Sequence, residues 1–198
     1  EVRAALGIPV DATLVGAASR LTPWKGQDRF VHAAAKLAER FPTARFVVAG
    51  SPEAGQAHQQ EYFESLKRLT ADLGIADRVL FPGYLSNLQD LMATMDVFVL
   101  PSVQPEPFGM VIVEAMALGV PVVATNGGGP REIVRDWETG LLVPPGDSAA
   151  LADAVGSLLA DSNMRARFGA AARDRVRDTF SLEAFRHNLH RLYREGAA

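Results

Sequence analysis

Cysteine is absent from the 198 residues, which excludes a disulfide framework, a thiolate nucleophile and cysteine-ligated zinc while leaving the compartment open. A dominant charge is also missing: 20 Lys and Arg stand against 23 Asp and Glu, for a formal net charge of -3. A nucleic-acid-binding surface leaves a basic footprint, so no nucleic acid is expected as a partner. No apolar run reaches the ~20 residues that span a bilayer. The opening residues, Glu1-Val2-Arg3-Ala4-Ala5-Leu6, offer neither a signal peptide's apolar stretch nor an initiator methionine. The default compartment is therefore the cytoplasm, and the chain reads as a piece of a longer protein. Internal repeats and low-complexity segments are lacking, as are an Asp-x-Asp pair of the kind that holds a divalent ion and a Gly-x-Gly-x-x-Gly turn after the first apolar run.

What the chain does contain is 48% apolar residues, the composition of one globular domain. Runs of branched apolar residues predict strands at 14–18, 45–49, 79–81, 97–100 and 120–124, with a short sixth at 141–143. Stretches of helical period fall between them, near 27–40, 59–73, 88–95, 109–118 and 130–134. Short, continuously apolar strands alternating with helices are typical of a parallel sheet covered on both faces. The expected fold is a doubly wound, Rossmann-like α/β sheet of about six strands with helices on both faces. Ligands in such sheets sit beyond the carboxyl ends of the strands, so the loops at 19–26, 50–58, 82–86, 101–108 and 125–129 are the suspects. After Gly146 the pattern is helical only, at 149–160, 164–178 and 182–194, with Asp147-Ser148 and Ser181 as caps for the first and last. The chain divides into a ligand-binding unit at 1–180 and a terminal helical segment at 181–198.

Two glutamates stand out. The helix at 109–118, Gly109-Met110-Val111-Ile112-Val113-Glu114-Ala115-Met116-Ala117-Leu118, is apolar on every face except at Glu114, and a helix apolar all round is normally buried. A carboxylate there needs a basic partner, hydrogen-bond donors or a ligand's hydroxyls, because an unpaired buried charge costs several kcal/mol. An internal ion pair or a solvated helix end would serve as well. Glu106 lies eight positions earlier, before Pro107-Phe108-Gly109, where proline predicts that the helix starts right after it. Eight helical steps separate the carboxylates by about 12 Å, beyond the ~5 to 9.5 Å over which two carboxyls share work on one glycosidic bond. That separation suits two ends of one elongated ligand, with the free amides of the helix start aimed at an anion between them. Arg20 and Lys25, just past the first strand, supply matching cations for phosphate, though each alone also fits a solvated surface charge.

Taken together these residues resemble the C-terminal, donor-binding domain of family-four, group 1 glycosyltransferases of the GT-B fold. That family is marked by Glu-x7-Glu, here Glu106 and Glu114, preceded by Arg-x4-Lys, here Arg20 and Lys25. The likeness extends through Val48-Ala49-Gly50, Val79-Leu80-Phe81-Pro82-Gly83-Tyr84, Pro101-Ser102, Gly127-Gly128-Gly129-Pro130-Arg131-Glu132 and Thr139-Gly140-Leu141-Leu142-Val143. It implies glycosyl transfer with retention from a nucleotide-diphosphate sugar, UDP ahead of GDP or ADP, with no metal and no other cofactor. Arg20 and Lys25 would contact the diphosphate, and the amides of Phe108, Gly109, Met110 and Val111 would surround the sugar and phosphates. Glu106 would bind sugar hydroxyls and Glu114 the ribose, while the backbone near Tyr84 and Leu85 would meet the base. Glu106, Arg20 and Lys25 are the expected catalytic group.

The likeness has two departures. Ser19 stands where the family often has glycine, and the N-terminal acceptor-binding domain is missing. In a full enzyme the terminal helix would return toward that absent half, and Phe180, Phe185, Leu189, Leu192 and Tyr193 would then expose an apolar face. The competing readings are a non-catalytic nucleotide-sugar-binding or interaction module, and a nicotinamide-dinucleotide binder, whose glycine fingerprint is absent. The triple glycine 127–129 fits either a tight turn or a close backbone approach to the donor. Arg165, Arg167, Arg173, Arg175 and Arg177, interleaved with Asp161, Asp174 and Asp178, fit a solvated helix face or a peripheral contact with acidic lipid at the inner face of the membrane. The one helical histidine pair, His187 and His190, reads as surface.

Overall fold

The computed structural model describes residues 2–195. A short α1 (Val2–Ala5) leads into β1 (Leu14–Ala18), a single 3-10 turn (Pro23–Lys25) and α2 (Gln27–Arg40). β2 (Arg45–Ala49), α3 (Ala57–Asp72), β3 (Val79–Gly83) and α4 (Leu88–Met92) complete the first half. β4 (Val97–Leu100), α5 (Met110–Ala117), β5 (Val122–Thr125), α6 (Pro130–Ile133) and β6 (Gly140–Val143) form the second. The chain closes with α7 (Ser148–Ala160), α8 (Ser162–Arg175), a π-helical turn (Val176–Phe180) and α9 (Leu182–Glu195).

The six strands are all parallel, in the order β3-β2-β1-β4-β5-β6. Because successive strand residues point to opposite faces, each strand feeds two cores. Val15, Ala17, Phe46, Val48, Val97 and Val99 join α2, α3 and α7 on one side. Leu14, Ala18, Val47, Ala49, Phe98 and Leu100 join α4, α5 and α6 on the other. Gly16, in the middle of β1, leaves room for Met95, whose side chain would lie 2.2 Å from any Cβ placed there.

Several boundaries differ from the sequence reading, each for a local reason. β5 starts at Val122 rather than at residue 120, since Pro121 has no N–H to give to the ladder. β3 runs on through Pro82 to Gly83, which an edge strand tolerates, and its pairing with β2 shifts register between Val47 and Ala49. α4 ends at Met92 instead of 95, where the Thr94 and Met95 amides turn tightly onto the Leu91 and Met92 carbonyls. α8 begins at Ser162 because the Asp161 carboxylate accepts from the Met164 amide, a cap the sequence reading missed. Its expected continuation to 178 is a π-helical turn instead. The caps at Asp147 and Ser181 are present as expected.

The terminal segment agrees in part with its prediction. Leu182, Phe185, Leu189, Leu192 and Tyr193 on α9 are exposed, whereas Phe180 is half-buried. The Phe180 ring meets Phe108 edge-on at 6.1 Å, and the Arg175 guanidinium lies over it. Residues 196–198 of the expected 181–198 segment, and residue 1, lie outside the described residues.

Candidate functional site

In this strand order the chain reverses its winding between β1 and β4, the place where open α/β sheets hold ligands beyond their carboxyl ends. A cleft of about 480 Å³ opens there. Ser19 and Arg20 line it from the end of β1, Gly50, Ser51 and Glu53 from β2, Tyr84 and Leu85 from β3, and Met110, Val111 and Glu114 from α5. Of the predicted residues, Arg20, Tyr84, Leu85, Met110, Val111 and Glu114 are thus brought together. Lys25, Glu106, Phe108 and Gly109 stand beside the cleft rather than in its lining.

Lys25 and Glu106 form one unit. The Lys25 ammonium donates to Glu106 Oε2 at 2.7 Å, and the Ser102 hydroxyl donates to the same oxygen at 3.0 Å. The two charged residues are 9% and 7% exposed, so Lys25 is not the solvated surface charge that the sequence also allowed. Among the described residues, the buried side-chain polar atoms without a partner are Thr22 Oγ1 and Arg78 Nη1. Glu106 Oε1, which accepts nothing, therefore keeps its access to solvent. One oxygen is anchored, and the other has no partner among the described residues.

The triple glycine holds this unit in place. A Cβ on Gly128 would lie 2.1 Å from the Glu106 carbonyl oxygen, and one on Gly129 would lie 2.1 Å from that of Phe108. The Gly129 amide donates to the Glu106 carbonyl at 2.8 Å. Close backbone approach is the reason for Gly128 and Gly129, but toward the 106–108 loop, whereas a Cβ on Gly127 would make only ordinary contact; none of the three lines the cleft.

α5 does not start after Glu106 as predicted. Residues 107–109 are irregular, and Gly109, at φ +98°, turns the chain into a helix whose first residue is Met110. A left-handed residue is what a proline-based start rule does not anticipate. The eight-step helical separation of the glutamates is therefore not realised, since only 110–114 of that span is helical. The amides of Phe108, Gly109, Met110 and Val111 make no hydrogen bond among the described residues, and the first to do so is Ile112, to the Gly109 carbonyl at 2.8 Å. Four consecutive free donors at the positive end of a helix dipole make a seat for an anion. Glu114, one turn further on, is half-buried rather than enclosed. It has no ion pair and no side-chain hydrogen bond among the described residues, and it faces the cleft.

Arg20 is exposed and likewise has no carboxylate within salt-bridge range among the described residues. Its backbone is held from below by Gln27, which the sequence reading missed. Gln27 is 1% exposed, and its Nε2 donates to the Arg20 carbonyl and to Ser19 Oγ, both at 2.8 Å. Its Oε1 accepts from the Tyr62 hydroxyl at 3.1 Å. Burial, with the Asp28 carboxylate nearby, pushes the Tyr62 pKa well above the ordinary phenol value, so this hydroxyl stays a donor. The β1 and β4 loops are also clamped together: the Val103 amide donates to the Trp24 carbonyl at 2.8 Å, and a Cβ on Gly26 would lie 2.0 Å from the Pro101 carbonyl oxygen. Ser102, Glu53 and Tyr62 were missed as well. Polar residues isolated in loops or on helices carry no periodic signal, and only the fold brings these to the cleft.

The arginines of the C-terminal half are mostly engaged. Arg165 donates to the Leu158 and Leu159 carbonyls, Arg173 to Leu118 and Arg175 to Glu132 and Ile133. Arg177 pairs with Asp174 and Asp178. Among the described residues no group of three or more His, Asp or Glu stands close enough to hold a metal ion, and no helix is long and apolar enough to cross a membrane.

Residues 1–175 match the family described as glycosyl transferases group 1. The chain is 37% identical over 197 residues to a D-inositol 3-phosphate glycosyltransferase of Corynebacterium efficiens, covering 98% of this chain and 45% of that protein. It is 40% identical over 172 residues to a GDP-mannose-dependent alpha-(1-6)-phosphatidylinositol monomannoside mannosyltransferase of Mycolicibacterium smegmatis, covering 82% and 43%. Its fold superposes on Anabaena Alr3699/HepE, solved in complex with UDP and glucose, with a TM-score of 0.89, 32% identity, and coverage of 98% and 51%. The chain thus spans about half the length of these relatives.

Proposed function

The chain belongs to the group 1 glycosyl transferases, and from that premise we propose that it is the donor-binding half of a retaining enzyme. In this reading the full enzyme moves a sugar from a nucleotide-diphosphate sugar to a glycan, lipid or small-molecule acceptor. The observation that carries the proposal is the pairing, in one cleft, of an unengaged Arg20 with the free amides of Met110 and Val111 at the start of α5, with those of Phe108 and Gly109 beside it. A diphosphate seated there is neutralised without a metal ion, and the same charges stabilise the leaving group as the glycosidic bond breaks. The nucleoside then runs across the strand ends, with its ribose on Glu114 and its base at Tyr84 and Leu85. Glu106 Oε1 takes the sugar hydroxyls, while Lys25, held by Oε2, adds positive charge behind the phosphates.

UDP is the first candidate donor nucleotide, supported by the ligand in the Anabaena protein; GDP, named for the mycobacterial relative, and ADP follow. The exposed apolar face of α9 and the half-length coverage support a missing N-terminal acceptor-binding domain, which brings the second substrate into reach. The full enzyme works in the cytoplasm. Contact with acidic lipid at the inner face of the membrane would fall to Arg167 and to Arg186, Arg191 and Arg194 of α9, since the other arginines of α8 and the π turn are occupied. Calorimetric titration with UDP, GDP and ADP and their sugars tests the reading. At least one diphosphate binds, Arg20→Ala weakens it at least tenfold by removing a charge-assisted contact, and addition of an acceptor domain allows transfer. Binding of none of the three overturns the donor reading, and binding without any recoverable transfer leaves the non-catalytic module.

A further inference from the structure

We propose that the Ser19 hydroxyl is an additional donor-binding group, aimed into the cleft by Gln27 so that its proton meets a phosphate oxygen of the bound diphosphate. This rests on the donor reading above. Gln27 is the first residue of α2 and is almost wholly enclosed, and both polar atoms of its side chain are used. The Arg20 carbonyl can only accept a hydrogen bond, so the amide nitrogen, not the oxygen, must face the loop. The second Nε2 hydrogen therefore goes to Ser19 Oγ, and Oε1 is left to accept from Tyr62.

That orientation fixes the role of the serine. Its oxygen accepts from Gln27, so its own hydrogen must point elsewhere, and no acceptor for it exists among the described residues. Ser19 lines the cleft. Its backbone is pinned as well: the Ser19 amide donates to the Ala49 carbonyl at 3.2 Å, and Gly50 approaches so closely that a Cβ there would lie 2.3 Å from the Ser19 carbonyl oxygen. A fixed hydroxyl with an unused proton, next to the free Arg20 and across from the α5 amides, complements an oxyanion and gives a short, charge-assisted hydrogen bond. Gln27 is a positioning residue, one layer removed from the ligand.

The test takes the 198-residue chain, whichever of UDP, GDP and ADP binds tightest, and the matching nucleoside. Ser19→Ala is expected to weaken the diphosphate about tenfold and to leave the nucleoside unchanged. Gln27→Glu, which cannot donate to Ser19 and instead captures its proton, is expected to lose at least as much for the diphosphate alone. Ser19→Thr, which restores a hydroxyl, recovers most of the loss. Unchanged diphosphate affinity in Ser19→Ala overturns the proposal, as does an equal loss for the nucleoside, which would mean a merely structural role. If Arg20→Ala weakens the diphosphate while Ser19→Ala does not, the donor reading stands and only this assignment falls. If the wild-type chain binds none of the three, both fall together.

Discussion

The two glutamates occupy opposite electrostatic situations a few residues apart. Glu106 is buried, and one of its oxygens is held by an ammonium and a hydroxyl from within the chain. Glu114 is half-buried on the wall of the cleft with no partner among the described residues. A charge that has lost water must be compensated by the fold, whereas a charge at the edge of a cleft can keep its water until a ligand replaces it. The difference separates a carboxylate held by the fold from one left free, to which the proposed function assigns the ribose.

Breaking the buried pair is the harshest test of this contrast. Lys25→Met leaves the Glu106 carboxylate buried with only Ser102, and the expected loss is about 3 to 5 kcal/mol of unfolding free energy in urea denaturation. The double variant Lys25→Met with Glu106→Leu, which removes both charges, should be more stable than either single change; if the losses simply add, the two residues are not a unit. Next in size, Arg20→Ala and Glu114→Ala should each weaken the preferred nucleoside diphosphate at least tenfold in calorimetry, about 1.4 kcal/mol or more. Their unfolding free energies should stay within about 0.5 kcal/mol of the wild type. The smallest effect is expected from Ser102→Ala, which removes one of two bonds to Glu106 Oε2 and should cost about 1 kcal/mol of stability with diphosphate affinity nearly unchanged. An affinity loss there as large as for Glu114→Ala would blur the distinction between the two glutamates.

The parts of this arrangement that were legible in the sequence are those written in local pattern. Short apolar runs between helical stretches predicted six parallel strands, and all six exist with small shifts at their ends. Of the loops suspected because the sheet class puts ligands at strand ends, those after β1, β2 and β3 line the cleft, whereas 101–108 and 125–129 do not. What was not legible depends on long-range approach. Lys25 and Glu106 are 81 positions apart, so nothing in either segment announces that they pair. Gln27 looks like an ordinary first-turn residue until Tyr62 of α3 and the Arg20 loop close around it. The start of α5 was misjudged because Pro107 suits a first helical turn, while the actual turn is made two residues later by the left-handed Gly109. The triple glycine carried a clear signal of close approach, but its target, the backbone of Glu106 and Phe108, lies some twenty residues upstream.

The proposed function requires the cleft to take a nucleoside diphosphate through groups the fold has left without partners. It is tested most directly by titrating wild-type and Glu114→Ala chains with UDP, GDP and ADP while following the urea denaturation of both. Tight binding of at least one diphosphate to the wild type is expected, with a loss of tenfold or more in the variant and superimposable denaturation curves without ligand. A variant that is markedly less stable yet binds the diphosphate as well as the wild type would contradict it.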